Sequence, residues 1–317
     1  MFDYNLFESG VVMNNINIGK SKLSASEITL GCMRIAELST TDAAKLIHTA
    51  MDEGINFFDH ADIYGAGKSE EIFAQAIEMN PNVREQMIIQ TKCGIRPGYF
   101  DFSKEHILNS VDLSLKRLQT DYIDVLLLHR PDTLVEPEEV DEAFTILHNS
   151  GKVRHFGVSN QNPLQIELLN KHLHHKLIIN QLQLSITNTG MIDSGINVNM
   201  HIDRSIDRDG SILDYCRLKD ITIQAWSPFQ YGFFEGVFLN NDKFPELNNT
   251  IDRIAEEKGV SNSAIAIAWI LRHPAKIQPV VGTTNTDRLK DICKASNITL
   301  TRQEWYEIYR AAGNQLP

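Results

Sequence analysis

Four residues able to hold or move a proton stand at comparable places along the chain. In Ile55–Tyr64, INFFDHADIY, an apolar run closes on Phe57 and Phe58, Asp59 follows at once, and Tyr64 comes five residues later in a short loop. A carboxylate at the mouth of a buried strand is costly unless a charged or hydrogen-bonding group meets it. Two further apolar runs end in one basic or titratable residue: MIIQTK reaches Lys92, and IDVLLLH reaches His129. Taken alone, Asp59 beside His60 reads as an ordinary turn or capping residue. Taken together, Asp59, Tyr64, Lys92 and His129 form a proton-donating set.

Three strands that each deliver one polar side chain at the carboxyl end describe a parallel α/β barrel with a site on its top face. The rest of the chain keeps the same rhythm. Strands are predicted at Ile28–Gly31, the Phe57 run, Met87–Lys92, Ile123–His129, Val153–Val158, Leu177–Leu184, Ile221–Trp226 and Gln278–Gly282. Amphipathic helices separate them; Ile107, Val111, Leu115 and Leu118 space one of these, and a Thr41-Asp42 cap opens another. The expected architecture is a single-domain (β/α)8 TIM barrel over residues 16–317, with residues 1–15 as an N-terminal extension. INIGKSKLSASEITLG alternates around a Gly-Lys-Ser turn and predicts a β-hairpin before the first barrel strand. A doubly wound open sheet is the competing architecture, but no GxGxxG follows the first strand. Long βα loops follow strands 6 and 7, at residues 186–210 and 230–245. The second is aromatic (Tyr231, Phe233, Phe234, Phe238), and both are expected on the face of the polar set, where such loops shape a pocket.

Composition narrows the partners. A chain of 317 residues with 42% hydrophobic content can build a full core. A formal charge of −11 argues against a nucleic-acid or acidic-membrane surface, yet leaves room for an anionic ligand held by a few local donors. Cys32, Cys93, Cys216 and Cys293 have no paired spacing, no apolar run can cross a bilayer, and MFDYNLFESGVV lacks a basic n-region. These features predict a cytoplasmic protein and leave its oligomeric state open.

FFDHADIY, IIQTKCG, LLLHRPD, GKVRHFGVSN, INQLQ, QAWSPF and VVGTTNTDR, in that order and spacing, resemble the aldo-keto reductases. The similarity runs from about Ile16 to the end and is strongest toward bacterial oxidoreductases of the FDHADIY, TKCG, HRPD type. The resemblance implies reduction of aldehyde or ketone carbonyls by hydride from a nicotinamide, with no metal. It assigns Tyr64 as proton donor, Lys92 as the cation that eases loss of the phenolic proton, Asp59 as the partner of that lysine, and His129 as the group orienting the carbonyl. It places Ser159, Asn160 and Gln181 on the nicotinamide carboxamide, Trp226 against the nicotinamide ring, and Ser227 and Phe229 near the pyrophosphate. Thr283, Thr284 and Arg288 fall at the adenosine phosphate end, where a helix begins.

Two departures matter. Asn285 stands where related sequences often carry a lysine, so one contact to a 2′-phosphate is missing; NADP(H) is the expected cofactor, with NAD(H) still open. Met33 stands where many members have a pocket tryptophan, and the neighbouring Arg34 could meet an anionic substrate but reads first as a solvated surface residue. Other readings are a catalytically idle barrel that binds nicotinamide nucleotides as a regulatory subunit, and a metal-dependent hydrolase built on His60 and Asp62. His172, His174 and His175 could form a metal patch, but they read as a solvated helix end.

Overall fold

The computed structural model describes residues 12–317, so most of the expected extension at 1–15 lies outside the described residues. Eight parallel strands close a barrel: β1 (Thr29–Gly31), β2 (Phe57–Asp59), β3 (Ile88–Cys93), β4 (Ile123–His129), β5 (Val153–Ser159), β6 (Leu177–Gln183), β7 (Thr222–Trp226) and β8 (Gln278–Val281), with β8 pairing back onto β1. The principal helices are α1 (Thr40–Asp52), α2 (Lys68–Ala76), α3 (Lys104–Leu118), α4 (Pro137–Asn149), α5 (Pro163–Asn170), α6 (Ile212–Lys219), α7 (Pro245–Lys258), α8 (Asn262–Leu271), α9 (Thr286–Cys293) and α10 (Arg302–Ala311). A strand wrapped by helices outside and packed inside is buried on both faces, which is why β4 reads as a near-continuous apolar run.

The barrel interior is layered. Its base is apolar: Phe57, Ile88, Val125, Leu127, Ile178 and Ile179 pack with Ile18 and Ala25 of the hairpin Asn15–Asn17/Ser24–Ser26, which plugs the lower mouth. Gly157 on β5 allows this packing, since a Cβ there would meet Leu127 Cδ2 at 2.6 Å and the Ile179 carbonyl at 2.8 Å. Above the base the inward side chains turn polar, and above those the strand ends open into a cavity.

Local structure departs from expectation in two places. α1 is capped by Ser39, whose side chain accepts from the Asp42 amide, rather than by Thr41-Asp42; serine one residue before the helix does the same capping with a freer backbone. Residues 186–210 do not border the cavity. They form a short helix, Gly190–Ile196, anchored by buried Ile186, Met191 and Ile192. Tyr309 Oη of α10 donates to Asp193 Oδ1 (2.6 Å), and Arg204 donates to Asp193 Oδ2 (2.9 Å) and to Asn314. Apolar anchors and a buried carboxylate tie this loop to the C-terminal helix, so it braces the flank of the barrel. Residues 230–245 do lie at the cavity, through a small hairpin, Gln230–Tyr231/Gly236–Val237.

Candidate active site

Parallel pairing sets the depth of each functional side chain. β2 pairs with β3 so that Asp59 lies opposite Gln90, and β4 pairs with β5 so that His129 lies opposite Ser159. Lys92 sits two residues above Gln90 and is fully buried, although it carries an ammonium. Its Nζ donates to Asp59 Oδ2 (2.8 Å), to the His60 carbonyl (2.8 Å) and to Tyr64 Oη (3.1 Å), and lies 2.7 Å from Asp59 Oδ1. Three oxygens thus replace the water that the ammonium gave up. Tyr64 reaches the same point from a 3-10 turn after β2, Tyr64–Gly67, whose Gly65 and Ala66 both have left-handed backbone. The Tyr64 and His129 rings meet edge to face, 6.3 Å between centroids.

Protonation states follow from these contacts. Burial works against the Lys92 ammonium, but Asp59 and Tyr64 outweigh it and raise its pKa. Burial raises the Tyr64 phenol above its usual 10, and the Lys92 cation only partly opposes this. Lys92 thus acts in the expected direction on phenol ionisation, but burial outweighs it, so the phenol keeps its proton. His129 is held well below 6.5 by burial, then by Lys92 and Arg130, so its imidazole is neutral at pH 7. Its Nδ1 is buried without a partner.

The four groups border a cavity of about 610 Å³. Asp59, Tyr64 and His129 line it, with Lys92 directly behind. Ser159, Asn160, Gln181, Trp226, Ser227, Phe229, Thr283 and Arg288 also line it, whereas Thr284 is exposed beside Thr283 and does not. Asn160 Nδ2 donates to Ser159 Oγ (2.8 Å), and Trp226 Nε1 donates to Asn160 Oδ1 (3.2 Å), which holds the indole edge in place. Arg130, Asn160 and Ser227 each directly follow the last residue of a barrel strand, and each has a left-handed backbone (φ 72°, 56° and 53°). Non-glycine residues seldom adopt that conformation, and such strain gathers where side chains must be aimed.

Of the further lining residues, Arg130 was not singled out from the sequence. Arg34 is exposed, as expected, and also donates from Nη1 to the Gly282 carbonyl (2.7 Å) and borders the cavity. Arg130 lies over the faces of Trp226 and Phe233, at 5.9 and 5.7 Å. Its place in LLLHRPD was the available signal. Phe233 and Phe234 pack on Trp226 from the hairpin of the aromatic loop. In a chain of charge −11, the lining holds three arginines (Arg34, Arg130, Arg288) and one carboxylate, Asp59, which Lys92 already engages. A cavity so lined favours an anionic ligand.

The competing metal reading finds no third ligand. His60 is fully buried edge-on to Phe73 (4.5 Å) with both ring nitrogens unpartnered, and burial followed by Lys92 lowers its pKa to about 3. Among the described residues no three His, Cys, Asp or Glu side chains gather as a metal site; His174 pairs with Asp141 and His172 with Glu138 at the surface.

A closed eight-stranded parallel barrel carrying an Asp–Lys–Tyr–His set at its strand ends defines a class, and the family model described as the aldo/keto reductase family matches residues 27–312: the chain belongs to that family. It is 37% identical over 311 residues to the uncharacterized oxidoreductase YcsN of Bacillus subtilis strain 168, covering 93% of this chain and 97% of the relative. It is 35% identical over 305 residues to a 6-dehydroglucose reductase of Agrobacterium fabrum strain C58, covering 92% and 95%. The crystal structure of the thermostable aldo-keto reductase Tm1743 with the inhibitor epalrestat superposes with a TM-score of 0.76 at 25% identity, covering 94% of this chain and all of the other. Among the described residues no helix is long and apolar enough to cross a membrane.

Proposed function

We propose that this protein is an NADP(H)-dependent reductase of small aldehydes or ketones, with Tyr64 as proton donor. The observation that carries the reading is the Tyr64 hydroxyl, 3.1 Å from a buried Lys92 ammonium that Asp59 holds in place, opening on the same cavity as His129. The cavity suits a nicotinamide nucleotide along its length. Ser159, Asn160 and Gln181 offer polar groups for a carboxamide, Trp226 offers a flat apolar face, and Arg288 offers a cation in the first turn of α9. When bound, the reduced nicotinamide supplies the hydride. The residues do the rest: Tyr64 and neutral His129 donate hydrogen bonds to the carbonyl oxygen, Tyr64 then gives up its proton, and Lys92 stabilises the phenolate left behind. Loss of that proton is disfavoured in the resting site, where it is kept ready for transfer.

Asn285 bears on the choice of nucleotide. Its Oδ1 accepts from the Arg288 amide (2.8 Å), so this position serves as the N-cap of α9 in place of a cation. NADP(H) is proposed on Arg288, with NAD(H) as the alternative. The 6-dehydroglucose reductase among the relatives makes hydroxylated aldehydes the first substrates to try.

The deciding experiment follows nucleotide binding by Trp226 fluorescence and NAD(P)H oxidation with a carbonyl panel, for wild type and Tyr64→Phe. Expected are nucleotide binding by both proteins and a kcat lower by roughly 10²–10⁴-fold in the variant. Unchanged turnover in Tyr64→Phe would remove the proposed donor. Binding without turnover of any carbonyl would favour the idle regulatory barrel, and absence of binding would end both readings.

A further inference from the structure

Four inward-facing glutamines occupy the layer between the apolar base and the cavity: Gln90 on β3, Gln181 on β6, Gln224 on β7 and Gln278 on β8, all buried. Strand register aligns them, with Gln181 opposite Gln224, Gln224 opposite Gln278, and Gln90 opposite Asp59. Their amides form one continuous ladder. Gln278 Nε2 donates to the Ser26 carbonyl (2.7 Å), and Gln224 Nε2 donates to Gln278 Oε1 (2.9 Å). Gln224 Oε1 accepts from Gln90 Nε2 (2.8 Å) and from Gln181 Nε2 (3.0 Å). Those two amides also donate to Asp59 Oδ1, at 2.5 and 3.1 Å.

Both ends of this ladder are acceptors, a backbone carbonyl and a carboxylate, so the orientation of every amide is forced. Turning any one around sets oxygen against oxygen. Gln181 Nε2 has two protons, and Asp59 and Gln224 engage both. Its Oε1, which meets no donor among the described residues, is the atom left to serve the cavity that Gln181 lines. The cost of the arrangement is visible at Gln90 Oε1, buried without a partner. Filling the barrel does not require it, because the layer just below is mostly apolar. A polar layer with an orphaned atom is a poor choice for stability alone.

We infer that Gln224, with Gln90 and Gln278 on either side, is a positioning residue of the active site. The ladder holds the Gln181 carboxamide as an acceptor-only group toward the cavity, matched to the NH2 of a carboxamide ligand, and steadies the Asp59 carboxylate that Lys92 grips. This deepens the reductase reading and rests on it.

The test compares wild type, Gln224→Leu and Gln224→Glu in the full-length protein. In Gln224→Leu the hub is lost, and Gln181 keeps only its bond to Asp59 to set its orientation. The dissociation constant for NADPH is then expected to rise at least tenfold, and the Gln181 side-chain amide protons, followed by NMR in the unliganded protein, should exchange faster. A glutamic acid at 224, buried near Asp59, keeps its proton, accepts from Gln90 and Gln181 and donates to Gln278, so Gln224→Glu should recover most of both properties. A folded Gln224→Leu protein with wild-type affinity and slow Gln181 exchange overturns the inference. Should that variant not fold, Gln278→Leu, one rung further from Asp59, is read by the same two criteria. If wild type binds no nicotinamide nucleotide, the reductase reading fails, while Gln181 exchange in the unliganded protein still decides whether the ladder orients it.

Discussion

Lys92 is a charged residue with no access to water, and the chemistry around it follows from how that charge is compensated. Asp59 and the His60 carbonyl hold it, and Tyr64 completes its shell. Because Lys92 and burial both oppose protonation of His129, the imidazole stays neutral well below pH 6.5, and because burial outweighs Lys92 at Tyr64, the phenol stays protonated past pH 10. The proposed reduction needs both of these forms. The kcat/KM profile for carbonyl reduction is therefore expected to be flat between about pH 6.5 and 9.5. A steady-state pH series checks this, and an acid limb near the ordinary histidine value would remove His129 as the neutral donor. At this scale most of the site was legible: Asp59, Tyr64, Lys92 and His129 each end or closely follow an apolar run. The tie of Arg34 to the cavity rim was not legible, because its partner is the Gly282 carbonyl, 248 residues away.

Elements place these residues and tune the ends of the cavity. α9 begins where the anionic end of the proposed nucleotide would lie, and its first turn carries Arg288, but Asn285 caps the helix where a lysine would add charge. Asn285→Lys is expected to tighten NADPH roughly tenfold, about 1.5 kcal/mol for one charge-assisted contact, with NADH nearly unchanged. The helix should lose about 1 kcal/mol with its cap. Parallel titrations with the two nucleotides, alongside thermal melts, measure both effects; equal tightening of both would show that position 285 does not meet a 2′-phosphate. The two long loops show how far elements can be read from composition. Both were expected at the cavity, and only the aromatic one is there. Asp193 and Arg204 draw residues 186–210 to Tyr309 and Asn314 of the C-terminal segment, a pairing with no local signature.

Across the whole molecule, buried titratable groups couple stability to pH. His60 has a folded pKa of about 3 against an ordinary 6.5. Above pH 6.5 it is neutral in both folded and unfolded chains. Below that, the unfolded chain takes up a proton that the fold refuses, so stability is lost as pH falls, by about 2 kcal/mol between 6.5 and 5. His273, lowered to about 4 by burial first, acts in the same direction. Asp62, raised to about 6 by burial and then by Glu70, acts the other way, because its folded form gains a proton first. Urea unfolding at pH 7 and pH 5 is expected to show a drop in stability that His60→Leu reduces by about 2 kcal/mol; equal drops would mean that His60 does not resist protonation in the fold. By itself the sequence determined the barrel, the order of its strands and the four groups at or just beyond their ends, because burial on both faces makes most strands rich in apolar residues and leaves a terminal polar residue conspicuous. The glutamine ladder, the gathering of three arginines around one cavity and the net direction of the Tyr64 shift were decided only by tertiary structure. Each depends on strand register, or on the balance between burial and charge, among residues far apart in the chain, and neither quantity exists until the barrel closes.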